Sequence, residues 1–208
     1  MLEKGFTIGN ATIESPNSIN VASTILSQIS AAVSGSQYGG QTFSHVDHYL
    51  VPYVEKTHKK NVEFCNQHGL KEDVAKDMTE KAVFDAMQTF MYQINTLTST
   101  NGQTPFVTIS LGLDTSEFGR MITRNYLKVH KAGLGKDHVT PVFPKVLFFL
   151  EEGVNMKPGD PNYDLKRLAL ECSADRIYPD FVSVPLNRKV TGSTKGNVTS
   201  MGKLLLLM

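Results

Sequence analysis

Apolar residues recur at alternating three- and four-residue steps through Ile19, Ala22, Leu26, Ile29 and Val33. That spacing predicts a helix with a seam for packing on another helix, widened by Ile25 and Ala32. Ser15 and Pro16 read as its start, because serine caps and proline suits the first helical position. Gly35 ends it, and Gln37-Tyr38-Gly39-Gly40-Gln41 follows as a tight loop. A looser face of Val46, Leu50, Tyr53, Val54, Val62 and Cys65 predicts a second helix, capped by Ser44 and kinked or divided at Pro52. Gly69 closes it. Lys71-Glu72-Asp73 opens a third helix, where acids suit the positive N-terminal end. Ala82, Val83, Ala86, Phe90, Ile94 and Leu97 share one face of it, with Met87 and Met91 as core filling.

The second half of the chain alternates between strand and helix patterns. Asn101-Gly102 is turn chemistry, since both residues tolerate positive φ. From Phe106 to Leu111 the β-branched and aromatic content predicts a strand. Thr108 and Ser110 interrupt its apolar residues. Two readings stand: a half-buried strand with these hydroxyls in solvent, or a buried strand whose hydroxyls face a cavity or ligand. Ser116 to His130 reads as a helix with Phe118, Ile122, Tyr126 and Val129 inward, ended by Gly133 and Gly135. Val142 to Leu150 is a strongly apolar strand suited to a sheet interior. Asn155 to Pro161 reads as a loop, Tyr163 to Cys172 as a short helix, and Phe181 to Val184 as a strand. The alternation predicts an α/β fold with a parallel sheet after a long-helix N-terminal half. Sites in such sheets lie at the C-terminal strand ends.

Composition narrows the function classes. The 208 residues carry a net charge of +1, which argues against a nucleic-acid or membrane surface driven by charge. No apolar run reaches membrane-spanning length. Met1-Leu2-Glu3-Lys4-Gly5 lacks the apolar centre of a signal peptide, and the two cysteines read as reduced thiols of a cytoplasmic protein. Cys65 and Cys172 form neither a disulfide framework nor a metal motif. His45, Asp47 and His48 invite a metal reading, yet no further ligand stands at a defined spacing, and no metal site is assigned. The Gly39-Gly40 pair reads as a helix end and turn, or as a loop beside a nucleotide. His58-Lys59-Lys60 reads as a solvated patch or an effector-phosphate contact. Leu204 to Met208 forms an apolar tail, read as a docking strand or as the product of truncation or a shifted frame.

Several linked segments carry a resemblance: Gly5-Phe6-x-x-Gly9-Asn10, Pro16-x-Ser18, Gln37-Tyr38-Gly39-Gly40, Gly102-Gln103-Thr104-Pro105-Phe106-Val107-Thr108, Pro141-Val142-Phe143-Pro144-Lys145 and Tyr178-Pro179-Asp180. In this order they resemble the catalytic subunit of the anaerobic, class III ribonucleoside-triphosphate reductases, from about Met1 to Gly202. The resemblance implies part of a ten-stranded α/β barrel of the glycyl-radical type. The implied division is a partial barrel domain over 1–202, with a helical effector and dimer region at about 15–98, a strand–helix region at about 104–202, and a divergent tail at 203–208. The implied activity is reduction of ribonucleoside triphosphates to deoxyribonucleoside triphosphates for DNA synthesis. A cysteine thiyl radical, generated from a glycyl radical, takes hydrogen from the ribose 3′ position, the 2′ hydroxyl leaves, and formate is the reductant. A radical-SAM activase, dNTP and ATP effectors, a structural zinc and a homodimer are implied with it. The seam from Ile19 to Val33 suits the subunit interface where effectors bind.

The same resemblance places several parts outside residues 1–208. These are the early reducing cysteine, the thiyl cysteine expected after Met201-Gly202, the zinc cysteines and the glycyl-radical segment. The expectation is an internal fragment with a divergent tail, natural or frameshifted, that is inactive alone and has no catalytic residue of its own. Substrate contacts are expected at Gly102, Gln103, Thr104, Thr108, Gly192, Ser193 and Asn197. Alternatives are a non-catalytic dNTP-binding and dimerisation module or remnant, or another glycyl-radical enzyme such as a formate lyase.

Overall fold

The computed structural model describes residues 2–36, 39–98, 102, 104–191 and 204–206. A small antiparallel hairpin, β1 (Phe6–Ile8) and β2 (Ala11–Ile13), leads into helix α1 (Ile19–Ser36). The N–H of Val21 donates to Ser18 Oγ. The cap is therefore Ser18, and Ser15 instead meets the Lys56 ammonium. Strand β3 (Gln41–Phe43) follows, then α2 (Val46–Tyr49), α3 (Val51–Gln67) and α4 (Glu72–Thr96). Pro52 divides α2 from α3 by occupying the first turn of α3, where its missing N–H costs nothing. Ser44 does not cap, because its hydroxyl is buried and has no hydrogen-bond partner. Then come β4 (Val107–Leu111), α5 (Glu117–Ala132), β5 (Lys145–Leu150), α6 (Tyr163–Arg176), β6 (Asp180–Ser183), α7 (Val184–Thr191) and β7 (Leu204–Leu206).

Among the described residues five strands form one parallel sheet in the order β6-β5-β4-β3-β7. The tail residues Leu204–Leu206 occupy its edge beside β3, with Gln41 in register with Leu204. Strand periodicity divides the side chains between two faces. Phe43, Val107, Ile109, Leu111, Val146 and Phe148 join the main core with residues of α1 and α3 to α6. Leu147 and Phe149 face the other way and meet Val184 in a second, smaller cluster.

The helix seam behaves differently from its expected role. Ile19, Ala22, Leu26 and Ile29 are buried within the chain, where α1 packs on α4 and α3. The seam is thus part of the chain's own core and not a surface between subunits. Met87 and Met91 fill that core as expected, whereas Leu97 at the helix end is exposed. Strand β4 is buried along its whole length, Thr108 and Ser110 included, so the half-solvated reading of this strand does not hold. The Gly40 backbone lies against the Phe106 carbonyl, and the next amide, Gln41 N–H, donates to it. The close approach that glycine permits there is to the neighbouring strand.

The core also holds unpaired polar groups. His130 is fully buried on α5 and neither ring nitrogen has a partner, nor does the hydroxyl of Tyr126 one turn earlier. Burial, with Arg176 adding to it, pushes the His130 imidazole down to about 4. Unfolded histidine binds its proton near 6.5, so folding stability is complete above that pH and falls between about 6.5 and 4. Replacing His130→Leu removes two unpaired nitrogens at similar volume. Urea unfolding is expected to show a gain of about 1–3 kcal/mol at pH 7.

Candidate functional site

The first turn after β3 and the loop after β4 meet at the C-terminal edge of the sheet. His45, His48, Tyr49, Leu113, Asp114, Thr115 and Ser116 line an open cleft of about 480 Å³ there. His45 adopts a left-handed backbone (φ 50°) that swings the chain from strand into helix. Its N–H donates to Ser110 Oγ at 2.8 Å, and its ring meets Phe149 edge to face. Its Nε2 is buried without a partner. Burial and then the adjacent His48 lower its pKa, with Glu151 opposing.

His48 is exposed and its Nδ1 lies 2.7 Å from Asp114 Oδ2. The other oxygen of Asp114 accepts from the N–H and hydroxyl of Ser116, whose own Oγ caps α5 by accepting Gly119 N–H. Burial pushes the Asp114 carboxyl up, but the bonds from Ser116 and His48 outweigh it and leave the pKa lowered. Asp114 is therefore an ionised acceptor, and the imidazole must present Nδ1–H to it. Gly119 leaves room for this arrangement, because a Cβ there would collide with the Asp114 carboxylate.

The loop that carries Asp114 is held from two sides. Asp47 Oδ2, fully buried on α2, accepts N–H bonds from Gly112, Leu113 and Asp114 at 2.7, 3.1 and 3.2 Å. Asn155 donates to the Gly112 and Phe149 carbonyls, and Asn162 donates to the Gly112 and Asp114 carbonyls. Both asparagines are fully buried. Their remaining oxygens accept from Glu151 N–H and from Arg120. Arg120 is itself fixed by a two-pronged contact with Asp164.

The expected substrate residues lie elsewhere. Gly102, exposed at φ 74°, and half-buried Thr104 precede the N-terminal end of β4. Thr108 is buried on the sheet face that Phe149 shares by strand alternation. Gln103, Gly192, Ser193 and Asn197 lie outside the described residues. His58 is not part of a solvated patch: its Nδ1 lies 3.0 Å from Thr79 Oγ1, between α3 and α4. The metal reading of His45, Asp47 and His48 fails because Asp47 turns away to the loop amides. Among the described residues no group of three potential ligands is gathered, so a zinc does not fit them. Cys65 and Cys172 are buried and unpaired, and burial lifts the Cys172 thiol to about 11.

Sequence reasoning noticed His45 and His48 but missed Asp114, Ser116, Asn155 and Asn162. One signal was present: Asp114-Thr115-Ser116-Glu117 directly after a predicted strand is cap chemistry at a C-terminal strand end.

The family model for anaerobic ribonucleoside-triphosphate reductase matches residues 1–207. The chain belongs to that family. It is 50% identical over 196 residues to the anaerobic ribonucleoside-triphosphate reductase of Enterobacteria phage T4, covering 93% of this chain and 32% of the relative. To the Escherichia coli K12 protein of the same name it is 45% identical over 204 residues, covering 97% of this chain and 28% of the relative. The chain thus spans about a third or less of the length of these relatives. The fold is similar to that of the anaerobic ribonucleotide reductase from Thermotoga maritima crystallised with citrate in its active site. That match has a TM-score of 0.62 at 13% identity, over 95% of this chain and 37% of the other. The structure of the Thermotoga enzyme in complex with dATP and CTP matches with a TM-score of 0.58 at 12% identity, over 84% and 30%. The family reductases are the context for the parallel sheet and its cleft. No helix of the described residues is long and apolar enough to cross a membrane.

Proposed function

We propose that this chain serves an oxygen-sensitive reductase that converts ribonucleoside triphosphates to deoxyribonucleoside triphosphates for DNA synthesis. The observation that carries this reading is the family match across residues 1–207. In this reading the five parallel strands are one half of a ten-stranded barrel, and the sheet face bearing Thr108, Ser110 and Phe149 looks into it. The radical chemistry is that of a glycyl-radical enzyme with formate as reductant and a radical-SAM activase. Effector dNTPs, ATP and a second subunit act on the whole protein, which works in the cytoplasm.

The 208 residues alone do not carry the reaction. Hydrogen abstraction needs a thiol at the radical position, and the thiols of Cys65 and Cys172 are buried. Deoxynucleotide formation is measured anaerobically with activase, formate and each ribonucleoside triphosphate. The expected result is turnover by the reductase that contains this chain and none by the 208-residue chain. Turnover by the short chain overturns its inactivity. A containing reductase that leaves every ribonucleoside triphosphate untouched overturns the function.

A further inference from the structure

Strand β3 is held firmly on one face and along its inner edge. Gln41 Nε2 donates to the Ser30 carbonyl of α1 at 2.7 Å, and the Phe43 ring meets Phe90 of α4 edge to face. Along the inner edge the strand pairs with β4, where Gln41 N–H donates to the Phe106 carbonyl at 2.9 Å. Main-chain groups of a parallel strand alternate between its two edges. Thr42 therefore turns its N–H and C=O to the outer edge. Gln41, Thr42 and Phe43 are each only 1% exposed, so main-chain groups there need partners within the protein. Strand β7 lies along this edge in parallel register, with Leu205 opposite Thr42.

We propose that the outer edge of β3 is a strand-acceptor site for a short, extended, apolar segment in parallel register, and that the chain's own tail occupies it as an exchangeable plug. The acceptor is ordered in advance by α1, α4 and β4, so an incoming strand meets little further ordering cost. Recognition is through main-chain hydrogen bonds, which read strand direction and spacing. The segment that enters, Leu204 to Leu206, holds no charged residue and no proline, the two features that keep strands from adding to an edge. Its three residues make few ladder bonds, which is why the plug exchanges. Residues 192–203 tether it to α7, and a short tether gives an effective concentration on the order of 1 mM. The tail thus holds its own site against dilute competitors and closes an edge that otherwise adds strands from other chains. The inference is independent of the reductase reading.

Amide hydrogen exchange of the 208-residue chain, followed residue by residue by NMR, reads the plug directly. In the observed register the N–H groups of Leu204 and Leu206 point to β3 and that of Leu205 points away. The expected result in the wild type is slow exchange at Thr42, Leu204 and Leu206 and fast exchange at Leu205. Proline lacks the N–H, so Leu206→Pro is expected to speed exchange at Thr42 by about 10-fold, while Leu205→Pro changes it by less than about 2-fold. The Gln41 amide, bonded to Phe106, keeps its rate in both variants and reports that the sheet is intact. A synthetic peptide of residues 199–208 is expected to restore slow exchange at Thr42 in Leu206→Pro. It is expected to bind the wild-type chain about 10-fold more weakly or less, because there it must displace the tail. Fast exchange at Thr42 in the wild type, or no alternation along Leu204 to Leu206, overturns the plug whether or not the variants fold. A peptide that leaves Thr42 fast in the variant, or that binds both chains equally, overturns the acceptor site.

Discussion

Replacing Asp47→Ala is expected to cost about 3–5 kcal/mol of folding stability, read as a lowered urea midpoint. The substitution leaves the N–H groups of Gly112, Leu113 and Asp114 buried without an acceptor and opens a void beneath α2. Asp47→Asn keeps a carbonyl oxygen for the three amides and is expected to lose only about 1 kcal/mol. The two variants also separate by pH. Burial pushes the Asp47 carboxyl up to about 6, against the pull of the amides of Gly112, Asp114 and Leu113. An unfolded aspartate titrates near 3.8, so between these values the folded chain holds a proton that the unfolded chain has released. The contribution of Asp47 therefore improves as pH falls from about 6 to about 4, by about 3 kcal/mol. His130 acts in the opposite direction between about 6.5 and 4. Burial lowers His45 in the same direction as His130, so the gain from Asp47 only partly offsets the loss in the wild-type chain. Asp47→Asn deepens that loss of stability on acidification, and His130→Leu lessens it. Parallel profiles for the wild type and both variants would refute the two assignments.

Phe148→Ala is expected to cost about 3–5 kcal/mol, the range for emptying an aromatic site in a packed core. Phe148 is fully buried on β5 and contacts Phe181 with ring centroids 5.9 Å apart. Its ring also lies against Gly112, where a Cβ would come within 3.0 Å of it. Gly112 has φ 111°, a conformation that only glycine takes readily, and it is the point where β4 turns into the Asp114 loop. The ring therefore supports both the sheet and the pivot of the cleft. Phe148→Leu keeps most of the volume and is expected to lose about 1–1.5 kcal/mol. Equal urea midpoints for the Ala and Leu variants would show that the site collapses without a cavity.

Much of the fold was legible because periodicity reports burial. The Ile19 to Ile29 spacing, the apolar face of Phe118, Ile122, Tyr126 and Val129, and the Gly133 stop each mark an element by a local rule, and α1 and α5 form accordingly. Strand β3 was missed because Gln41-Thr42-Phe43 is too short to show alternation, and it pairs only when β4 arrives from far along the chain. Helix α7 was missed because Val184-Pro185 reads as the end of a strand. The candidate site was less legible. His45 and His48 were visible as a pair, but without a further ligand at a defined spacing they had no assigned role, and their partners sit about 65 residues away in Ser110 and Asp114. Asn155 and Asn162 looked like loop residues, and only packing shows that they are buried.

The amino-acid sequence by itself determined the family, the helical first half, the parallel α/β second half and the core role of Met87 and Met91. These follow from ordered motifs and from side-chain periodicity, which depend on neighbours along the chain. Tertiary structure decided which face each element buries and which polar groups meet. It turned the Ile19 seam inward onto α4, buried Thr108 and Ser110, and joined His48 to Asp114. Hydrogen bonds between distant residues have no period, so their partners exist only once the sheet has brought the strand ends together.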